Sequence, residues 1–286
     1  MLYRATHLTR YVYEGPVSHC LNEVRLTPRI LPSQQLREST IRVEPDPTVF
    51  QFRKDYFGND VTTFAVFETH DRLTTTATSI VEVQPEPQLM ESAITWEEAR
   101  DEIAAHSGPG CLEALEYVFE SPFVTATREL AAFAKPTFTP HRPLFDAVRE
   151  LSHRIHTEFK YEPKSTSIDM PMMEVFRRRT GVCQDFAHIM IGVLRSIHLA
   201  GRYVSGYLRS GAKFQGAEAS HAWISVFIPG RGWQAFDPTN DVLPSENHLT
   251  LAWGRDYGDV TPVKGIAIGG GGHTVEVEVE VRPLRR

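Results

Sequence analysis

From Leu2 to about Gln84 apolar and polar residues alternate in short runs, "ATHLTRYVYEG", "TIRVEPDP", "VTTFAVFET" and "TSIVEVQP", rich in Thr, Val, Tyr and Phe and separated by Pro and by "FGND". A period of two in β-branched and aromatic residues predicts strands, and the intervening turn residues predict an antiparallel sheet. "QPEPQ" breaks the pattern, which divides the chain into an N-terminal β module, residues 1–88, and a second part, residues 89–286. The second part opens with charged helical text, "TWEEARDEIAAHSG", "LEALEYVFES" and "TATRELAAFAK". In "PLFDAVRELSHRIHTEFKY" the residues Leu144, Phe145, Val148, Leu151, Ile155 and Phe159 fall at helical spacing and predict a long helix. Another is predicted in "TGVCQDFAHIMIGVLRSIHLAG", where Val182, Phe186, Met190, Val193 and Ile197 form one face and Cys183 stands at the start. Alternation then returns in "RYVSGYLRS", "SHAWISVFIPG", "RGWQAFDPTND" and "HTVEVEVEVRP". Helices followed by antiparallel strands make the fold class α+β.

Composition narrows the functions open to such a chain. With 286 residues, 41% hydrophobic and 23% charged, it is long enough for one large domain or two smaller ones. Lys and Arg number 30 against 36 Asp and Glu, a net charge of −6, and the only basic run is at Arg177 to Arg179, so no nucleic-acid partner is expected. The first residues lack a basic segment followed by an apolar one, and no stretch approaches the ~18 apolar residues of a membrane span. A cytoplasmic location without membrane association is therefore expected. Cys20, Cys111 and Cys183 are widely spaced and odd in number, which predicts neither a disulfide framework nor a zinc knuckle. His153 and His156 make an H-x-x-H pair with no third ligand nearby, and Gly269 to Gly272 lack the Lys-Ser/Thr of a phosphate loop. No metal and no cofactor is expected.

Cys183 is the residue whose position carries chemistry. Its place beside an apolar helical stripe suits a buried structural cysteine, but a helix start also offers unpaired N–H groups and the positive end of the macrodipole, which favour thiolate and can receive an oxyanion. A nucleophile further needs an imidazole and a group that fixes its tautomer. His221 opens an apolar strand in "SHAWISVFIPG", and Asp237 closes the next in "GWQAFDPTND". Pairing about a tight turn at Pro229 to Gly232 sets Asp237 opposite about residue 224 and His221 opposite about residue 240. A slip of two or three, through a bulge or strand twist, makes the two neighbours.

The segments "TGVCQDFAHIMIGVLRSIHLAGRYVSGYL", "SHAWISVFIPGRGWQAFDPTND" and "GRDYGDVTPV" closely resemble the bacterial transglutaminase-like proteins, and "YRATHLTRYVYEGPV" resembles the β module that precedes their catalytic core. The resemblance spans nearly the whole chain; the G-V-C, H-A-W and D-P-T segments are its specific parts, and the helical connector matches weakly. It implies a papain-like transglutaminase core in which a helix carrying Cys183 packs on an antiparallel sheet, with Cys183, His221 and Asp237 as a Cys-His-Asp triad. It also implies attack on an amide through a thioacyl-enzyme, resolved by water or by an amine. The calcium-regulated arrangement of the animal enzymes has no recognisable counterpart here.

Around this triad, Gln184 and the Cys183 N–H are candidate oxyanion donors, and Tyr161, Trp223, Asp256 and Tyr257 are candidate cleft residues. Asp185 reads as a structural acid or a contact for a substrate amine. The expected activity is hydrolysis of an amide in a peptide, a protein or a small molecule, in the manner of a cysteine protease or amidase. Amine-accepting protein cross-linking, or a non-enzymatic binding protein on the same core, are the alternatives.

Overall fold

The computed structural model describes residues 1–85, 93–168, 170–211, 214–216 and 219–284. Strands β1 (Leu2–Val24), β2 (Gln34–Glu44), β3 (Val49–Lys54), β4 (Asp60–Val66) and β5 (His70–Val83) open the chain. Helices α1 (Trp96–Ala104), α2 (Cys111–Leu115), α3 (Arg128–Ala134) and α4 (Leu144–Glu158) follow, then the short strand β6 (Lys160–Tyr161), α5 (Met172–Arg178) and the short strand β7 (Thr180–Gly181). After α6 (Cys183–Ser196) come β8 (Gly201–Leu208), β9 (His221–Ile228), β10 (Gly232–Phe236) and β11 (His248–Gly254). The single turn α7 (Tyr257–Val260) leads to β12 (Val263–Gly269) and β13 (His273–Pro283). The α+β class is as expected, and both long helices lie where their spacing puts them. No helix among the described residues is long and apolar enough to cross a membrane.

The two sheets divide the chain differently from the sequence reading. The expected boundary at residue 88 lies outside the described residues. Residues 263–283, read as part of the second half, return to the first sheet: β13 pairs with the N-terminal half of β1 and β12 with its C-terminal half. Alternation identifies a strand but not its partner, and β1, at 23 residues, is long enough to hold both. Its other side is shared between β5 and β4, and the run Gly269 to Gly272 turns β12 into β13.

The second sheet has the order β10-β9-β8-β11. One face of β9, Ala222, Ile224, Val226 and Ile228, joins the core that surrounds α6, in which Phe186, Ile189, Met190, Val193 and Leu194 are all buried. Burial on nearly every side of α6 is what fixes the position of its first residue. At the other end, Arg195 is buried with its guanidinium on the carbonyls of Tyr117, Gly201 and Arg255 and on the Ser121 hydroxyl. Desolvation lowers its pKa to about 10, with Asp256 acting the other way, so it stays charged at neutral pH.

The sheets dock through side-chain amides on the free edge of β11. Gln34 donates to the Thr250 carbonyl at 2.8 Å and accepts from the Thr250 N–H at 2.9 Å; Asn59 does the same for Trp253 at 2.9 and 3.0 Å. Each amide thereby supplies the donor and acceptor that a neighbouring strand would have offered. Apolar contact completes the junction, since Tyr3, Ala5, Val81 and Val83 of the first sheet belong to the main core.

Gly206 of β8 lies opposite His221 in the ladder, and the Trp223 indole lies over it. A Cβ at position 206 would meet the Leu249 carbonyl oxygen at 2.1 Å and the indole at 2.4 Å. Gly206→Ala is expected to destabilise the protein by about 1–3 kcal/mol, the ordinary range for overpacking. A urea titration checks this: a midpoint equal to the wild type's would show that Trp223 and β11 have room to move.

Candidate active site

The Cys183 end of α6 is set by two short elements. Tyr161 of β6 pairs with Gly181 of β7, and the Glu162 N–H donates to the Gly181 carbonyl, which holds the strand entering the helix. Val182 is the N-cap in extended backbone, and its side chain has no acceptor for the helix. Asp185 caps in the reverse direction: its Oδ2 accepts from the Val182 N–H at 2.9 Å and from the Thr166 hydroxyl at 2.7 Å. Burial pushes the Asp185 pKa up, and these two bonds oppose that. The first intrahelical bond runs from the Phe186 N–H to the Val182 carbonyl. The Cys183 and Gln184 N–H groups therefore precede the helix ladder and point out of its positive end.

His221 and Asp237 meet without the slip that the sequence reading required. The hairpin pairs Phe236 with Ile224, so one step further Asp237 falls level with Trp223 and diagonal to His221 on the same face. His221 Nε2 donates to Asp237 Oδ2 at 2.8 Å, and both side chains are fully buried. Asp237 takes four further hydrogen bonds. Its Oδ1 accepts from the Thr239 and Asn240 N–H groups at 2.9 and 3.2 Å, and its Oδ2 from Asn240 Nδ2 at 2.9 Å and His248 Nε2 at 3.1 Å.

The electrostatics follow from that hub. Burial alone would favour a neutral imidazole at His221, but the Asp237 carboxylate, by charge and hydrogen bond, and then the charge of Cys183 outweigh it and raise the pKa to about 10. For Asp237 burial pulls upward, yet the charge and hydrogen bond of His221 and the hydrogen bond of His248 hold it well below the usual carboxylate range. His248 is moved down, because burial exceeds what its bond to Asp237 returns, and it donates to Asp237 as a neutral ring. The nearest nitrogen and oxygen atoms of His221, Asp237 and His248 lie within 4.8 Å of one another, a grouping that could hold a metal ion. The hydrogen bonds to Oδ2 account for this convergence by themselves.

Cys183 and His221 line a single cleft with Gln184, Tyr161, Tyr203 and Tyr257. Cys183 is 9% exposed, against 3% for Cys20 and 0% for Cys111. Gly216 sits over the imidazole with φ of +83°, and a Cβ there would come within 2.9 Å of Nδ1, so only a residue without a side chain fits against that nitrogen.

Two family descriptions match the chain: a bacterial transglutaminase-like N-terminal region over residues 3–82 and the transglutaminase-like superfamily over residues 131–238. An uncharacterized protein of Mycobacterium tuberculosis (strain H37Rv) is 37% identical over 99% of this chain and 93% of its own length. The chain belongs to the transglutaminase-like superfamily. An uncharacterized protein of Mycobacterium leprae is likewise 37% identical, over 98% of each chain. A protein-glutamine gamma-glutamyltransferase of Pseudomonas aeruginosa is 32% identical over 31% of this chain and 14% of its own. The fold is shared with a Cytophaga hutchinsonii protein proposed to be a cysteine protease, with a TM-score of 0.77 and 19% identity over 98% of this chain and 90% of that one. Sheet and helix thus form a transglutaminase-like core, and membership supports a cysteine enzyme.

The other candidates fall in different places. Gln184, Tyr161 and Tyr257 line the cleft. Trp223 does not: it is 2% exposed and stands behind His221, with its ring 6.0 Å from that imidazole and 5.2 Å from His248. Asp256 is also buried away from the lining, where it accepts from the Phe123 and Gly258 N–H groups and caps α7. Asn240 and His248 were missed. Asn240 is three residues beyond Asp237 in a D-P-T-N turn, a spacing at which a side chain can return to the aspartate. For His248 no local signal exists, because it arrives on β11, on the far side of β8 and β9 from β10.

The two pKa displacements give a pH dependence. A value raised from 6.5 to about 10 makes His221 stabilising below pH 6.5, with that contribution lost as pH rises toward 10. The lowered Asp237 stabilises above the ordinary carboxylate range and is lost as pH falls through its folded value. The wild-type melting temperature is expected to decline from pH 6.5 to 10 more steeply than that of His221→Gln or Asp237→Asn. Parallel declines would mean that the folded protein does not hold this proton.

Proposed function

We propose that the chain is a Cys-His-Asp thiol hydrolase that opens amide bonds, of a peptide or a glutamine-type carboxamide, through a thioacyl-enzyme. The observation that carries this reading is the buried 2.8 Å pair of His221 and Asp237 on the wall of the cleft that also holds Cys183 at a helix start. A carboxylate only accepts hydrogen bonds, so Nε2 of His221 carries a proton and Nδ1 is left to exchange one with Cys183. Transfer from Sγ to Nδ1 gives a thiolate beside an imidazolium, the charge state of the ring that its surroundings favour.

The thiolate attacks the acyl carbon, forming the C–S bond as the carbonyl electron pair moves to oxygen. The Cys183 and Gln184 N–H groups, with the Gln184 side chain, receive that oxyanion. Collapse breaks the C–N bond, and the departing amine takes the proton from Nδ1. Water then gives a proton to Nδ1 as its oxygen attacks the thioester; the C–S bond breaks and the acid leaves. Asp237 orients the ring and balances its charge without itself taking a proton.

Water is favoured over an amine as acceptor because the acids near the nucleophile are already engaged. Asp185 is buried on Val182 and Thr166, and Glu280, which does line the cleft, pairs with Arg282 at 2.5 Å. Glu218, the other acid near His221 in sequence, lies outside the described residues.

At pH ~6 an unperturbed thiol is almost wholly protonated, and iodoacetamide is expected to alkylate Cys183 well ahead of Cys20 and Cys111, both buried with pKa values raised by that burial. Equal labelling of all three would count against the nucleophile. With a glutamine peptide or an activated ester as acyl donor, Cys183→Ala is expected to abolish turnover and Asp237→Asn to leave a residual rate. Adding millimolar primary amine and weighing the products separates the two fates: free acid supports the hydrolase, and a predominant amine adduct, absent with Cys183→Ala, would make the protein a transferase.

A further inference from the structure

β13 and a groove beside it continue the Cys183 cleft. Val275, Val277 and Val279 share one face of β13; Val279 lines the cleft with Cys183, while Val275 and Val277 line the adjoining groove. The two spaces also share Ser220, Tyr257 and Pro262. Their cross-strand partners on β1, Thr9 opposite Val277 and Tyr11 opposite Val275, widen the groove floor, and Phe123 lines it from the side of Tyr257. Val275 is 47% exposed and Val277 44%, whereas Val279 and Val281 on the same face are 8% and 0%. One apolar stripe therefore runs from the buried core, past the nucleophile, into the open.

Among the described residues, the outer backbone edge of this strand from Val275 to Val279 pairs with no other strand. Gly272 and Leu284 hydrogen-bond to β1, and the register between them is unbroken, so the even positions face β1 and the odd positions face outward. Val281 shows this directly: its N–H donates to the Ser210 hydroxyl at 2.8 Å and its carbonyl accepts from the Ser210 N–H at 3.0 Å. The N–H and C=O groups of Val275, Val277 and Val279 point the same way, and among the described strands β13 pairs with β1 alone. From Val279 to Val275 the strand rises ~13 Å, room for about four extended residues.

We propose that the outer edge of β13 binds the substrate as an added strand: an extended peptide pairs with the outward backbone groups of Val275, Val277 and Val279 and places aliphatic side chains at alternate positions over Val275 and Val277. The backbone groups select a peptide over a lipid or a small amide, and the valines set the side-chain preference. Continuity with the cleft brings the bound segment's own amide to Cys183. Glu276, Glu278 and Glu280 alternate with the valines and discourage pairing between copies of this edge. The proposal rests on Cys183 being the nucleophile only for what happens to the peptide, not for its binding.

The test uses the Cys183→Ala protein and a fluorescein-labelled nonapeptide amide with valine at alternate positions on both sides of a central glutamine, beside the same peptide with aspartate for the valines. The valine peptide is expected to bind at least roughly tenfold more tightly by fluorescence anisotropy, about the discrimination one buried aliphatic side chain supports. Val277→Asp should erase most of that difference, and Val277→Ser, a milder change, part of it. Hydrogen exchange should slow at the Val275 and Val277 amides when the valine peptide is added to the Cys183→Ala protein. Equal binding of the two peptides, binding unaffected by either Val277 variant, or unchanged exchange on β13 would each overturn the proposal. Iodoacetamide labelling of the wild type judges the nucleophile separately: preferential labelling of Cys183 without peptide on β13 leaves the hydrolase standing and removes the added strand.

Discussion

A carboxylate removed from water must find its hydrogen bonds inside the protein, and Asp237 is buried with 0% exposure. Five donors meet it, two from the backbone just beyond it and three from Asn240, His221 and His248. The backbone pair is local and comes with the D-P-T-N turn. The imidazoles come from β9 and β11, so satisfying one charge ties the end of β10 to the first residues of two other strands. Removing one partner of such a buried pair costs about 3–5 kcal/mol, because the remaining charge stays desolvated. The site and this end of the sheet are therefore one structural unit.

That dependence gives the N-terminal sheet a part in the site. His248 is in register only while β11 is, and the outer edge of β11 is completed by Gln34 and Asn59 rather than by another strand. Arg29 packs over Trp253 of the same strand, 3.5 Å from the ring centre, while its guanidinium bonds Asn59. β12 and β13 then carry the chain back into the first sheet, so neither sheet can shift without pulling on the other. His7 on β1, bonded to the Tyr207 hydroxyl on β8 at 2.9 Å, closes the same junction from the other side.

Much of this was legible in the chain because it depends on local rules. Helical spacing around Cys183 gave α6 and put the thiol at its start; a tight turn between two apolar runs gave the His221–Asp237 hairpin. The expected slip between those two residues was unnecessary because diagonal neighbours on one face already lie within reach of an imidazole. What stayed hidden depends on which strands lie together. Period two placed Trp223 on the His221 face, but only His221, at the end of the strand, reaches the cleft; two residues on, packing turns Trp223 toward His248 and the first sheet's Gln34 and Val83. Asp256 and Asp185 have the residue type of active-site acids, yet each satisfies a helix N-terminus. The valines of β13 announce a strand, and only the length of β1 explains why it lies in the first sheet.

The fate of the acids near Cys183 sets the character of its surroundings. Asp185 lies on the first turn of α6, where a free carboxylate would oppose negative charge on the sulfur. Burial pushes its pKa up, and the Val182 N–H and Thr166 hydroxyl occupy the oxygen that would otherwise reach outward. Asp237 is placed beyond the imidazole, so its charge acts on the ring. What lies around the sulfur is then the N-terminal end of α6 and the His221 ring, with no free carboxylate from the first turn between them. A neutral His248 leaves that balance intact while supplying Asp237 with a donor, whereas a lysine or arginine there would compete with His221 for the same carboxylate.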